Sequence, residues 1–265
     1  MTTETKPETQ PTAASSPQGN EGKTLSLRVM RGERGDTHEV EYKIPVGAGW
    51  VVLDAVHYVQ AHHASDLAVR WNCKAAKCGS CSAEVNGMPK LMCKTRVDDY
   101  DLSEPIYVAP MKAFPHIKDL VTDVSFNYEV NKKIPGFTPR KDADFIIDQA
   151  DMDRVQEFRK CIECFLCQDV CHVLRTHGEF DRFYGPRFMV RMAALEMHPM
   201  DALDRTEFLK EEAGVAMCNI TKCCTKVCPE EITITDNAII PLKERVADQY
   251  YDPLRWVLRK LRGKK

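Results

Sequence analysis

The sequence predicts an α+β protein in which a half-open sheet that grips one helix is followed by an all-helical domain. Two patterns support this fold class: apolar residues alternate along the chain after residue 23, as in strands, and recur at helical spacing through much of the second half. The length supports it too, because 265 residues with 43% apolar side chains can fill two modest cores. We therefore expect a sheet domain at residues 23–118 and a helical domain at residues 119–252.

Both ends of the chain depart from this pattern. Residues 1–22 are mostly Thr, Glu, Pro, Ser, Gln and Gly with almost nothing to bury, which predicts a disordered tail. Residues 253–265 interleave Trp256 and leucines with arginines and lysines, and no acidic residue interrupts them. A basic amphipathic tail of this kind suits the cytoplasmic face of a membrane, and a terminal helix packed on its own domain is the equal alternative.

The first domain shows a strand–turn–strand–helix order. Leu25, Leu27 and Val29 alternate with polar residues, a turn is predicted at 31–35, and residues 39–45 predict a second strand. Apolar residues at helical spacing then predict a helix over 51–59, and residues 105–110 predict a closing strand.

The helical domain is predicted from start and stop signals. Its predicted elements are a short helix at 117–125, an irregular crossing at 128–144, a helix capped by Asp151 that leads into Cys161, a helix starting at Pro186, a helix at 206–213, and a helix at 232–250 kinked at Pro241. Methionines 189, 192, 197 and 200 are expected to fill the core of this domain.

Twelve cysteines dominate the chemistry. The N-terminus has no apolar secretory region, so a reducing compartment is expected and disulfides are disfavoured. No apolar run approaches the length of a membrane span, so other subunits would hold the protein at a membrane. The 37 basic and 39 acidic residues leave a formal charge of −2, which gives no support for a nucleic-acid partner.

The first cysteine group has the spacing Cys73-x4-Cys78-x2-Cys81, with Cys93 further on. This is the plant-type [2Fe–2S] spacing, and it predicts a plant-type ferredoxin (β-grasp) domain. Gly79 is expected to let backbone N–H groups approach the cluster sulfurs, where a side chain would obstruct them.

The second group has the bacterial ferredoxin spacing C-x2-C-x2-C-x3-C, whose last cysteine ligates the other cluster of a pair. A second cysteine run downstream, with Cys218, Cys224 and Cys228, supplies the partner ligands that this spacing requires. The second domain is therefore predicted to be bacterial-ferredoxin-like. The crossed arrangement predicts a [4Fe–4S] cluster on Cys161, Cys164, Cys167 and Cys228, with Cys171, Cys218 and Cys224 holding the other cluster. In that downstream run Thr221 stands where a fourth cysteine would, so a [3Fe–4S] cluster is expected, and the neighbouring Cys223 is expected to be a buried inert thiol. Zinc is the rival metal, but structural zinc sites typically use two short cysteine pairs.

The pairing of these two cysteine sets over roughly residues 24–250 resembles the iron–sulfur subunit of succinate dehydrogenase and fumarate reductase. The resemblance implies an electron-transfer subunit that relays electrons through three clusters, from an FAD-containing flavoprotein subunit to a membrane anchor. It also implies a peripheral position on the cytoplasmic side of a bacterial plasma membrane. One departure is Ala76, where family members commonly have glycine; if that position needs a positive φ, alanine costs on the order of 1 kcal/mol.

Substrate chemistry is not expected in this chain. The sequence has no G-x-G-x-x-G fingerprint and no nucleophile–base pairing, and His62 and His63 are expected at an exposed helix end. Two alternatives remain: an iron–sulfur relay for another flavoprotein oxidoreductase, and a non-enzymatic metal-stabilised interaction or sensor protein.

The quinone site is a second departure from the family. In its well-known branch a proline, a tryptophan and a histidine of this subunit help to form a quinone pocket, and here those positions are His172, Thr176 and Asn219. We therefore expect that quinone, in particular menaquinone, is reduced in the anchor through haem b, as in the haem-bearing branches.

Overall fold

The computed structural model of the chain describes residues 22–141 and 146–253. The predicted N-terminal tail, apart from Gly22, and the predicted basic tail, apart from Pro253, lie outside the described residues. Within the described ranges, no helix combines the length and the apolar character that crossing a membrane requires.

The chain begins with a long antiparallel hairpin. Strands β1 (Thr24–Glu33) and β2 (Asp36–Pro45) pair along their whole length. Leu25, Leu27 and Val29 are fully buried, as their alternation predicts. The predicted turn at 31–35 was wrong in its extent, because β1 continues to Glu33 and the turn is confined to two residues. Arg31 stays in the strand because its Nε donates to the buried Asp119 Oδ1 at 3.0 Å.

Helix α1 (Val52–His62) packs on this sheet and confirms the predicted helix. After the first cysteine loop come β3 (Ser82–Val85), β4 (Met88–Leu91) and β5 (Ile106–Ala109), the predicted closing strand. The strand order is β4-β3-β5-β1-β6-β7, where β6 is His116–Lys118 and β7 is Val121–Thr122, and β2 pairs with β1 off this path. Because β5 runs parallel to β1 while the hairpin pairs are antiparallel, the sheet is mixed.

The predicted helix at 117–125 was wrong. This segment forms two short antiparallel strands, β6 (His116–Lys118) and β7 (Val121–Thr122). Asp119 between them has φ 48° and is buried, and its carboxylate accepts the backbone N–H groups of Gly32 and Ala68 at 2.8 Å. This long-range carboxylate network holds the segment in a turn that helical periodicity does not reveal. Helix α2 (Ser125–Lys133) follows, so the first part of the predicted irregular crossing is helical.

The second half of the described chain is helical. Its α-helices are α3 (Gln149–Gln156), α4 (Leu166–Asp169), α5 (His172–Arg175), α6 (Pro186–Glu196), α7 (Thr206–Glu211), α8 (Cys223–Lys226) and α9 (Ile240–Tyr250). Short 3₁₀ turns at Glu157–Lys160 and Val215–Met217 lead into Cys161 and Cys218. A mixed sheet followed by helices is an α+β architecture, as expected.

Three helix boundaries differ from the sequence prediction. Helix α3 is preceded by Asp148 as its N-cap residue, and Asp151 lies in its first turn. Helix α7 ends at Glu211, two residues early. The predicted 232–250 helix is a π-helical segment, Ile234–Ile239, continued by α9, so the irregularity precedes Pro241 and that proline takes a first-turn position where its missing N–H costs nothing.

The core of the helical half contains the four methionines, all buried, which confirms their predicted role. The core of the sheet half is not closed by its own residues: Cys164 and Leu166 of the helical half belong to it. The two halves therefore share apolar packing along their junction.

Arg205 anchors the crossing segment to the helical half. Its side chain is fully buried, and its Nε donates to the Pro135 carbonyl at 3.0 Å, while Nη2 donates to Asp201 Oδ2 at 2.8 Å. The guanidinium thus satisfies backbone carbonyls of the segment and a buried carboxylate at the same time.

Replacing this arginine by a residue of similar length tests the anchor. Arg205→Met leaves Asp201 buried without its partner, so we expect a loss of about 3–5 kcal/mol in unfolding free energy. Thermal unfolding of the cluster-loaded protein, followed by circular dichroism, measures it. The matched control is Arg154→Met, whose exposed pair with Asp151 at 3.7 Å contributes no more than about 0.5 kcal/mol. Equal unfolding temperatures for the two variants would contradict the anchor.

Candidate iron–sulfur centres

The first cysteine loop lies between α1 and β3. Cys73 is exposed, Cys78 and Cys93 are half-buried, and Cys81, directly before β3, is buried. Backbone N–H groups already point at these sulfurs: Ala75 and Lys77 donate to Cys73 Sγ at 3.3 and 3.4 Å, and Ala76 donates to Cys93 Sγ at 3.3 Å. A ring of amide donors around thiolates is the environment that an iron–sulfur cluster requires.

Residues in the left-handed backbone conformation orient these amide N–H groups. Lys74 and Ala76 have φ values of 53° and 55°, and they alternate with residues of ordinary conformation. Successive amides in such an alternation turn toward one point and form an anion-binding concavity. The positive φ expected at Ala76 is therefore present, and its cost is about 1 kcal/mol, which the loop bears.

Gly79 brings the two halves of the protein together. It has φ 69°, and a Cβ placed on it would lie 2.5 Å from Cys164 Cα. Beside it, Ser82 Oγ donates to both the Gly79 and the Cys164 carbonyls at 2.8 Å. The expected reason for this glycine was access of amides to sulfur, and the structure adds a second reason, the close approach of the next cysteine loop.

The first set of the helical half surrounds one cavity. Four cysteines from two distant segments line it together with Arg187 and an apolar wall; the cysteines are Cys161, Cys164, Cys167 and Cys228. Ile162, Val190, Ile232 and Ile234 contribute to the wall. These four thiols are the set that the crossed arrangement predicts, and apolar walls that exclude water suit a redox centre.

Glu157 fixes the two segments to each other. Its carboxylate accepts the Thr233 backbone N–H at 2.5 Å and the Asn237 side-chain amide at 2.6 Å. Although burial opposes ionisation, these hydrogen bonds lower the pKa of Glu157. The chain before Cys161 is thereby tied to the chain after Cys228.

The second set consists of Cys171, Cys218 and Cys224. Burial raises the pKa of Cys171 to about 12 and that of Cys224 to about 11, and Cys218 and Cys223 lie near enough to add to both shifts. Buried neighbouring thiols of this kind stay protonated unless a cation compensates their charge, and a coordinating metal deprotonates a thiol outright. The donor set therefore fits a cluster of iron.

The two cysteine runs of the helical half have the same backbone conformation. Glu163 and Phe165 in the first run have φ values of 56° and 63°, and Ile220 and Lys222 in the second have 60° and 61°. The residues before α4 and α8 match in ψ as well, at 9° and 8°. Position by position, Thr221 then occupies the place of Cys164.

Cys223 was expected to be buried and is instead half-buried. Its counterpart in the first run is Leu166, which is covered because it packs into the core of the sheet half. Among the described residues, Cys223 belongs to neither of the two large apolar cores and stays partly accessible. Its Sγ lies 3.3 Å from the Thr221 hydroxyl.

A single-ion site finds no support in the described residues. There, no three His, Cys, Asp or Glu side chains are grouped closely enough to hold one metal ion. Zinc requires sulfurs about 2.3 Å from one centre, and the described residues contain no grouping of that kind.

The three residues that stand at the family's quinone-pocket positions lie at the surface. His172 begins α5, Thr176 ends it, and Asn219 follows Cys218, and all three are exposed. His62 and His63 are exposed at the end of α1, as expected.

Sequence reasoning missed a buried charge cluster at the junction. Glu84 on β3 and Asp169 on α4 are fully buried, and Arg175 Nη1 lies 2.5 Å from Glu84 and 3.7 Å from Asp169. Asp169 also accepts the Ala113 N–H at 2.9 Å. Burial, and after it the nearby Glu84, raises the pKa of Asp169 to about 7. Each residue resembles a surface charge in the sequence, so no local signal identifies the cluster.

Comparisons with known proteins agree with this geometry. Residues 26–129 match the family described as 2Fe-2S iron-sulfur cluster binding domain, and residues 157–232 match the 4Fe-4S dicluster domain. The chain therefore carries three iron–sulfur clusters, one in the first half and two in the second.

Individual relatives point to one family. The fumarate reductase iron-sulfur subunit of Mycobacterium tuberculosis is 32% identical over 72% of this chain and 79% of that one. The succinate dehydrogenase iron-sulfur subunit of Bacillus subtilis is 28% identical over 82% of this chain and 90% of its own. Some other relatives are longer, and the chain spans less than half of their length.

A solved structure matches as well. A chain of the Mycobacterium smegmatis Sdh1 complex in the apo form is 56% identical, with a TM-score of 0.84 over 87% of this chain and 98% of that one. The two matched domains, the three cysteine sets and these relatives lead to one conclusion. The chain belongs to the family of iron–sulfur subunits of succinate dehydrogenase and fumarate reductase, and its function is electron transfer.

Proposed function

We propose that this chain relays electrons between an FAD-containing flavoprotein subunit and a membrane anchor of a succinate:quinone oxidoreductase. The observation that supports this most directly is the contact between consecutive cysteine loops, since Gly79 beside Cys78 meets Cys164 of the next set. Cys167 lies within α4 and Cys171 follows that helix closely, and the two belong to different sets. The three sets thus adjoin one another in series.

The proposed ligands follow the cysteine sets. Cys73, Cys78, Cys81 and Cys93 would hold a [2Fe–2S] cluster in a plant-type ferredoxin domain. Cys161, Cys164, Cys167 and Cys228 would hold a [4Fe–4S] cluster, and Cys171, Cys218 and Cys224 a [3Fe–4S] cluster, in a bacterial-ferredoxin-like domain. These groups supply one-electron transfer. The chain's own part is to donate amide hydrogen bonds to sulfur, keep water out and keep the sets in contact.

The exposed ends of this series are where partners would dock. At one end Trp71 is 47% exposed beside the exposed Cys73, with Lys74 Nζ 4.9 Å from its ring centre. At the other end the loop after Cys218 is exposed, and Ile220 is 40% exposed. We assign the first end to the flavoprotein and the second to the anchor, and the proposal includes a peripheral position on the cytoplasmic side of a bacterial plasma membrane.

Quinone chemistry is assigned to the anchor. Thr176 and Asn219 stand where the family's usual pocket has its indole and imidazole donors, and the imidazole of His172 stands where that pocket has a proline, so it would donate from a different angle. Electrons would therefore continue to haem b and then to quinone, in particular menaquinone.

The partner assignment has a direct test. We expect an FAD protein to co-purify with the tagged chain, and succinate to reduce the clusters of that complex in paramagnetic resonance spectra. The alternative, a relay for another flavoprotein, would show a co-purifying flavin protein that reduces the clusters with a different donor and ignores succinate.

Thr221 makes the second set specific for three irons. Because Thr221 has the backbone position of Cys164, Thr221→Cys supplies a fourth thiolate without a change of fold. We expect the oxidised wild type to show a three-iron paramagnetic signal, the variant to lose it and form [4Fe–4S], and the potential of that centre to fall.

Thr221→Ser, which adds no thiolate, is the matched control and should keep the three-iron signal. If the wild type itself lacks that signal, then another group completes the site. Cys223, 3.3 Å from the Thr221 hydroxyl, would be the first residue to replace.

If quinone is reduced in the anchor, substitutions at the exposed residues of this chain should not affect quinone-linked turnover. His172→Ala with Asn219→Ala in the assembled complex should leave quinone-linked turnover within about twofold of wild type, or about 0.4 kcal/mol in barrier. His177→Ala, another exposed histidine, is the control. A collapse of quinone turnover with intact cluster signals and intact flavin-side activity would place a quinone pocket here instead.

A further inference from the structure

A buried arginine stands against the four-cysteine cavity. Arg187 lies in the first turn of α6 and lines the cavity together with Cys161, Cys164, Cys167 and Cys228. Its side chain is only 5% exposed. A guanidinium keeps its charge in any protein environment, so this position places a permanent positive charge beside the thiols.

The guanidinium is only partly satisfied by the protein. Nη2 forms a short ion pair with Glu163 Oε1, whose side chain is 51% exposed. Nε is buried and has no hydrogen-bond partner within residues 22–141 and 146–253. Leaving a buried charged donor unpaired costs on the order of 1–3 kcal/mol or more, so this N–H requires an acceptor that the described residues do not provide.

The arginine is held in place by packing that also positions the cysteines. The Arg187 backbone N–H donates to Gln168 Oε1 at 3.2 Å, and Gln168 Nε2 donates to the Tyr184 carbonyl at 3.0 Å. Gly185 leaves the space for this, since a Cβ there would lie 2.0 Å from Gln168 Oε1. Gln168 follows Cys167 directly, so the start of α6 is locked to the helix that carries a thiol of the cavity.

The charge acts on the cavity. Arg187 lines the same cavity as the four cysteines, so its charge lies beside all four thiols. Arg187 thus favours negative charge in the cavity, where the apolar wall weakens screening.

We infer that Arg187 sets the reduction potential of the four-iron centre by donating its Nε–H to a sulfur of that centre. The inference rests on the proposed ligand set of this cavity. Reduction adds one electron and hence one negative charge, with no bond broken and no proton moved. A fixed positive charge and a hydrogen bond to sulfur both stabilise the reduced form, and both are known determinants of cluster potential. The middle centre of the relay is therefore easier to reduce than its cysteines alone would make it.

The test is a redox titration of the assembled complex followed by paramagnetic resonance. Arg187→Met should shift the reduction equilibrium of the four-iron centre at least tenfold toward the oxidised form, which is about 59 mV for one electron. Arg187→Lys keeps the charge but loses the planar donor, so a smaller shift in the same direction is expected. Glu163→Gln removes the counter-charge and should shift the equilibrium the opposite way. The other two centres should keep their potentials.

Arg191→Met is the matched control, because Arg191 is an exposed arginine on the same helix; it should leave all potentials unchanged. A shift below twofold in Arg187→Met with an intact four-iron signal would overturn the inference. If Arg187→Met loses the centre, Arg187→Gln decides: an unchanged potential would show that Arg187 serves the fold alone. Absence of a four-iron signal from the wild type would overturn the ligand set instead.

Discussion

The contact between Gly79 and Cys164 is the constraint on which the rest of the structure depends. A side chain at residue 79 would collide with the backbone of the second cysteine loop at 2.5 Å. Electron transfer through protein requires neighbouring centres, and Gly79 lies next to Cys78 in the first cysteine loop. The sheet, its hairpin and helix α1 position the loop that contains Gly79 against Cys164.

A cluster of buried charged side chains also lies at the junction of the two halves. Glu84, Asp169 and Arg175 lie where β3 meets α4 and α5, and both carboxylates are fully buried. Removing charges from water is expensive and is only partly repaid by pairing. Such a cluster specifies one relative arrangement of the two halves more than it adds stability, because any slip would separate the charges inside an apolar junction.

The sequence predicted best what is local along the chain. Cysteine spacing predicted three sets, and the four thiols predicted for one of them line a common cavity. The matched left-handed residues before α4 and α8 support the alignment of Thr221 with Cys164. It failed where distant residues decide. The strands around Asp119 were taken for a helix because the carboxylate is bound by Gly32, 87 residues away. Arg187 was not noticed either, since only the folded chain brings α6 beside the cysteines.

The shared core has a consequence for how such proteins are assembled from parts. Cys164 and Leu166 complete the apolar interior of the sheet half, although they lie in the other half of the chain. A sheet half separated near residue 118 would expose that interior to water, at about 25 cal/mol for each Å² uncovered. The two ferredoxin-like halves therefore cannot be exchanged independently between relatives. Recombination would succeed only where the cysteine loop at residues 161–167 is inherited together with the sheet whose core it completes.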